Sequence, residues 1–283
     1  MAEFIADQRI AAGYAGDRPF LHGRVLEMAL RDVPGERRFR RGLDVGCGAG
    51  LSVRALLPYC NHVTGTDISR DMILAARACC PEAACTFFPY GAEEVQRLGG
   101  TYDIVTAAGV MDWIDSGRFL EALRHVIREG SRLLVYDFWI TDRMEGNADY
   151  TNWWHEQYLR RFPRIRNVTA AGRQVWDNRR FVQERQEEFT LSHRFSLAAF
   201  VRFLLLQSNV NAWISPPGQQ TAGHGADGTK RADEAAAWME ETLMPVFAGE
   251  EKVLFFDGYY RRYGYHGSEK DSAAGPGRTD IGG

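Results

Sequence analysis

The stretch Gly42-Leu43-Asp44-Val45-Gly46-Cys47-Gly48-Ala49-Gly50, followed after a short helical segment by His62-Val63-Thr64-Gly65-Thr66-Asp67, decides the fold. An apolar strand runs directly into closely spaced glycines, and a second apolar strand ends in a single carboxylate. Glycines belong where the backbone must turn tightly and approach a ligand with no Cβ in the way. A carboxylate at the end of the next strand can accept hydrogen bonds from both hydroxyls of a ribose. The pair describes a pocket for an adenosine-bearing cofactor at the carboxyl ends of a parallel sheet.

The glycine spacing separates the cofactor classes. Dinucleotide sites use G-x-G-x-x-G, whose third glycine lets helix and strand pack closely beneath a pyrophosphate. Here Gly46, Gly48 and Gly50 read G-x-G-x-G, and Leu51 stands where that pattern wants glycine. Asp44, two residues before Gly46, would repel a pyrophosphate but suits the ammonium of an amino-acid moiety. Leu51 and Asp44 together speak against the alternative of an NAD(P)-dependent oxidoreductase on the same type of sheet. No G-K-[ST] follows, which excludes a P-loop.

Asp44-Val45-Gly46-Cys47-Gly48-Ala49-Gly50 resembles the first motif of class I S-adenosylmethionine-dependent methyltransferases of the small-molecule branch. Four further segments fall in the order of that family: Asp67, Gly91-Ala92-Glu93, Tyr102–Ala108 and Ser131–Asp137. The resemblance implies a Rossmann-like α/β fold, a seven-stranded sheet with helices on both faces and a helical substrate cap. It implies S-adenosyl-L-methionine as the cofactor and methyl transfer to a small-molecule acceptor, whose atom (oxygen, nitrogen or carbon) the residues leave open. A non-catalytic module that binds the same cofactor is a further alternative.

Residue by residue, the resemblance puts Asp44 near the methionine ammonium and the backbone of Gly46, Gly48 and Gly50 beneath the cofactor. Asp67 takes the ribose hydroxyls, Ile68 and Met72 the adenine face, Ala92 and Glu93 the adenine edge, and Ala107 the methionine end. Gly91 departs from the aspartate often found before Ala92 in such motifs. Each residue also has a structural reading: Asp67 as a helix cap, Glu93 as an acid near a helix start, Met72 as core.

The chain of 283 residues accommodates one large α/β domain with a lid. A net charge of −3 argues against a nucleic-acid footprint, which needs a basic face. No apolar run reaches the roughly 18 residues of a membrane span, and Met1-Ala2-Glu3-Phe4 does not open like a secretory signal. An odd count of five cysteines suits the reducing cytoplasm. Cys79, Cys80 and Cys85 lack metal-ligand spacing and a neighbouring histidine, so no metal is expected. A homodimer is left open.

Periodicity predicts helices over 3–12 and 19–31, then strand 42–46, helix 50–58, strand 62–66, helix 69–79, strand 85–89, a short helix near 92–97, strand 102–107, helix 115–128 and strand 131–137. The expected organisation is an N-terminal helical lid (1–40), a cofactor-binding core (41–140), a substrate cap with closing strands of the same domain (141–266) and a disordered tail (267–283). Within the cap, a helical lid or insertion over 141–187, a strand over 188–195, a helix over 196–208, a loop over 216–230, a helix over 232–246 and a strand at 252–256 are expected.

Methyl transfer asks mainly for alignment and exclusion of water. A general base is needed only when the acceptor is a hydroxyl or carbon acid. Asp112, in Gly109-Val110-Met111-Asp112-Trp113-Ile114-Asp115, stands where similar methyltransferases often carry histidine, and is expected to orient the acceptor or cap the next helix. His155, in the aromatic run Trp153-Trp154-His155-Glu156, is the candidate base, with His193 behind it. Tyr14 and Arg18 resemble the N-terminal lid of related enzymes, where Arg18 would reach a carboxylate. Arginines 160, 161, 164, 166, 173, 179 and 180 either attract an anionic substrate or, among nearby acids, form a solvated face.

Overall fold

In the computed structural model the described residues are 8–33, 38–81, 83–164, 180–216 and 225–267. Seven strands form one sheet: β1 Phe39–Val45, β2 Cys60–Thr66, β3 Cys85–Phe88, β4 Tyr102–Ala108, β5 Ile127–Met144, β6 Phe181–Phe195 and β7 Lys252–Tyr265. Their order is β3-β2-β1-β4-β5-β7-β6, parallel up to β5, with β7 antiparallel to both β5 and β6. The order reverses between β1 and β4, which places a crevice for ligands beyond their carboxyl ends. This is the expected seven-stranded Rossmann-like sheet.

The parallel strands are short and buried on both faces, so they read as apolar runs rather than alternating ones. Leu43 and Val45 of β1 join Val105, Leu133 and Val135 on one face, beneath α5 (Ser116–Leu123) and the tight helical turn Ala92–Leu98. The opposite face holds Ile104, Leu134 and Tyr136 under α2 (His22–Leu30), α3 (Leu51–Leu56) and α4 (Arg70–Cys79). Caps define where helices start. The Ser69 hydroxyl accepts the Met72 N–H at 3.3 Å, and the Asp115 carboxylate accepts the Arg118 N–H at 3.0 Å.

The second half departs from expectation in its strands. The strand expected over 131–137 runs from Ile127 to Met144, and the one expected at 252–256 continues to Tyr265. The reason is mutual: β5 and β7 pair from Arg132↔Gly264 to Met144↔Leu254, and β6 then pairs along the whole of β7. A long ladder sustains extended backbone where the local sequence alone gives little signal. The helix expected to reach 128 ends at Leu123, because the chain must turn to enter β5 beside Tyr102. The helix expected over 196–208 divides into α8 (Leu197–Leu204) and α9 (Ser208–Ile214), bent by 72°.

The lid expected over 141–187 is helical only in part. Past β5 lie α6 (Asp149–Trp153), a wide helical turn Trp154–Tyr158 and α7 (Leu159–Arg161), and β6 begins at Phe181. Trp153 is core, stacked on Tyr150 and on Trp238 of α10 (Gly225–Phe247). Trp176 and the tail from 268 lie outside the described residues, as do 217–224 of the loop expected over 216–230, whose remaining residues from Gly225 are helical and begin α10. The N-terminal helices appear as α1 (Gln8–Gly16) and α2. No single helix among the described residues is long and apolar enough to cross a membrane.

Candidate active site

The glycine loop leaves β1 with Gly46, Gly48 and Gly50 at φ of +65°, +50° and +92°. These conformations are open to glycine and strained for other residues. The three positions differ in what surrounds them. A Cβ on Gly46 would meet Val110 Cγ2 at 2.6 Å, whereas a Cβ on Gly48 would meet nothing within 4 Å. Gly46 is therefore small for the sake of packing against the loop after β4. Gly48 faces open space and gives the backbone a bare approach surface.

Asp67 ties this loop to the next. Its Oδ2 accepts the Gly48 N–H at 2.9 Å and its Oδ1 the Ser69 N–H at 2.8 Å. Burial pushes the Asp67 carboxyl up, against the pull of those two amides. Two lone-pair sites remain on the carboxylate for ligand hydroxyls. Ile68, next in the chain, is 71 % exposed, an unusual place for a large aliphatic side chain and a suitable cover for a flat ring.

Asp44, expected near the methionine ammonium, sits beneath the glycine loop. It is fully buried, with Oδ2 receiving the Ser52 hydroxyl and Oδ1 the Thr106 hydroxyl, each at 2.5 Å. It thus links β1, α3 and β4 beneath the loop. Burial pushes its carboxyl up to about 7, with the charge of Asp67 adding to the effect and the two hydroxyls opposing it.

The remaining sequence candidates fall into two groups. Met72 is buried with Ile10, Ala11 and Ala49, so it seats α1 on α4. Ala92 and Ala107 have buried side chains on the α5 face of the sheet, which leaves only their backbone for a ligand. Glu93 Oε1 accepts the Asp115 N–H at 2.8 Å and so holds the loop after β4. His155 pairs with Asp142 at 2.6 Å on a half-exposed surface, and His193 packs its ring on Phe195.

A groove of ≈ 670 Å³ opens beside this loop, within the range of small-molecule sites. Met111 and Asp112 line it at one end. Val135, Asp137 and Trp139 of β5, Tyr259, Arg261 and Tyr263 of β7, and Trp154 and Tyr158 of the cap form other parts of the wall. His155 and His193 are not among its lining residues. Residues 109–112 therefore touch both regions: Val110 lies against Gly46, and Met111 and Asp112 face the groove.

Above the sheet on the lid side, Arg18 stacks 4.0 Å from the centre of the Tyr14 ring and donates to its hydroxyl at 3.0 Å, while its Nε is buried without a partner. His22 Nδ1 lies 2.9 Å from the Tyr136 hydroxyl at the end of β5. Burial, with the Arg18 guanidinium nearby, pushes the imidazole down to about 3. Neither His22 nor Tyr136 stood out in the sequence. The available signal was a histidine four residues after Arg18 and a polar ring inside Leu133-Leu134-Val135-Tyr136-Asp137.

Residues 43–135 match the family model described as a methyltransferase domain. The ubiquinone biosynthesis O-methyltransferase of Aeromonas salmonicida is 27 % identical over 110 residues, 38 % of this chain and 46 % of that protein. The methyltransferase ptaI of Pestalotiopsis fici is 28 % identical over 103 residues, 33 % of this chain and 30 % of that protein. In both cases the chain spans under half the relative's length. A solved protein of Anaeromyxobacter dehalogenans, described as a candidate type II methyltransferase, superposes with a TM-score of 0.59 at 22 % identity, covering 87 % of this chain and 96 % of that one. The fold, the glycine loop with Asp67 and the matched domain converge: residues 43–135 form a methyltransferase domain within a sheet shared with solved methyltransferases.

Proposed function

We propose that the chain transfers a methyl group from S-adenosylmethionine to a small organic acceptor held in the groove. The carrying observation is the shared loop 109–112, which sets the cofactor cradle and the groove side by side. The residues present fit the cofactor: Gly48 offers an open backbone, Asp67 keeps acceptor sites free for ribose, and the orphaned Nε of Arg18 suits a carboxylate. When bound, the cofactor would supply an electrophilic methyl group on a positively charged sulfur.

The protein's own work is then alignment. Asp67 fixes the ribose, Ile68 covers adenine, and the Gly46–Gly50 backbone runs beneath the cofactor. Asp44 acts from below by holding β1, α3 and β4 in register. Asp112 orients the acceptor at the donor end of the groove. His155, bound to Asp142 outside the groove, is left without a part. The five cysteines are all free thiols, which supports a cytoplasmic setting.

The test is calorimetric titration with S-adenosylhomocysteine, with NAD as control, followed by a screen for S-adenosylhomocysteine release from candidate acceptors. One-site binding at roughly micromolar affinity, about −8 kcal/mol, is expected. Binding of NAD instead would overturn the proposal.

A further inference from the structure

Arg261 differs from the arginines around it. Arg262, the next residue on β7, points to the opposite face, where Asp32 and Glu184 hold it at 2.6 and 2.8 Å. Arg185 on β6 is paired with Asp32 and Glu187 at 3.2 and 3.3 Å. Among the described residues, no carboxylate pairs with Arg261, and its Nε is buried without a hydrogen-bond partner. Its neighbours are a ring and a hydroxyl: its guanidinium carbon lies 5.4 Å from the centre of the Tyr259 ring, and it bonds the Tyr263 hydroxyl.

Leaving a donor unsatisfied costs about 1–3 kcal/mol, so the Arg261 guanidinium on the groove wall calls for an acceptor oxygen from outside the chain. A carboxylate answers it, since it brings two oxygens and matches a guanidinium fork.

The rest of the groove says what carries that carboxylate. Trp139, 49 % exposed, and Tyr259 offer flat apolar faces that suit an aromatic ring. At the donor end stand Asp112 and Asp137, whose charge disfavours an anion but suits a hydroxyl or amine that donates a proton. Asp137 faces Tyr259 across the ladder, so Arg261 is its diagonal neighbour, at about 7–8 Å between Cα atoms. One substituted ring spans that separation.

We infer that the groove takes an aromatic carboxylate, its acid group received by Arg261, with Arg164 on the same wall, and its nucleophilic atom turned toward Asp112. Arg261 is then a residue that selects the acceptor. The inference rests on the methyltransferase reading of the adjoining loop, and the two are tested separately.

The probes are 4-hydroxybenzoate and its neutral counterpart 4-hydroxybenzamide, titrated into the full chain saturated with S-adenosylhomocysteine. The acid is expected to bind at least about tenfold more tightly than the amide, a difference of about 1.4 kcal/mol. Arg261→Gln abolishes that ratio and leaves S-adenosylhomocysteine affinity unchanged, which also certifies the fold; Arg261→Lys keeps part of the ratio, as a point charge without the fork. Equal affinities in the native chain, a ratio that survives Arg261→Gln, or no saturable binding of either probe would overturn the inference. Failure of S-adenosylhomocysteine alone to bind sinks the methyltransferase reading instead, whatever the probes do.

Discussion

The two halves of the sheet solve different problems with the same material. From β3 to β4 the strands are parallel and short, and what the loop presents is backbone: glycines that clear space and amides gathered by Asp67. From β5 to β6 the strands are long and antiparallel, and the groove is walled by side chains such as Trp139, Tyr259 and Arg261. A cofactor common to many enzymes can be met by main chain, which every sequence supplies. An acceptor must be told apart from other molecules, and only side chains can do that.

The sharpest way to break this contrast is at Gly48. Gly48→Val puts a β-branched side chain at φ +50° into the open space of the cradle. Loss of S-adenosylhomocysteine affinity by about a hundredfold or more is expected, about 3 kcal/mol, with 4-hydroxybenzoate binding retained. Calorimetry on both ligands checks it; retained cofactor affinity would show that the ligand lies elsewhere.

Asp67→Asn comes next. The amide keeps only one acceptor oxygen for the two backbone N–H groups and the ribose. A loss of about tenfold to thirtyfold in cofactor affinity is expected, about 1.4–2 kcal/mol, again without change in the groove. On the other side of the comparison, Asp112→Asn should lower turnover by roughly tenfold and leave cofactor affinity intact. Unchanged turnover would remove Asp112 from the alignment of the acceptor.

The smallest effect concerns pH. Asp44 is pushed from 3.8 to about 7, so its contribution is fully present below pH 3.8 and is lost as pH rises through about 7. His22 is pushed from 6.5 to about 3, so its contribution is present above pH 6.5 and is lost as pH falls through about 3. Between about pH 4 and 6.5 folding binds a proton at one site and releases one at the other, and the two slopes oppose. Asp44→Asn removes one of them, so the variant should lose stability on acidification more steeply than the native chain. Thermal melts across that window check it; parallel curves would refute the opposition.

Legibility followed the same divide. The cofactor half was readable because its constraints are local: a glycine that must adopt positive φ, a carboxylate at a strand end and Ser69 at a helix start each act within a few residues. Even there, sequence gave position without direction. Met72 and Glu93 sit close to the expected place, yet Met72 serves α1 and Glu93 serves the Asp115 amide. The groove was illegible because its walls come from β5, the cap and β7, the two strands lying more than a hundred residues apart in the chain. Arg261 and Arg262 look equivalent in the chain; the two-residue period of the strand sends them to opposite faces, one to partners and one to the groove.

β5 belongs to both halves. Its early residues pair with β4 under the cradle, and its later ones, as far as Met144, pair only with β7. The spacing between the donor end and the acceptor wall is therefore written in covalent bonds, at about 3.3 Å per residue, rather than in the angle of a hinge. Such a molecule carries its own gauge. On the proposed reading, acceptor preference is retuned by exchanging groove-facing residues along that strand, while the spacing of the two sites along β5 stays fixed.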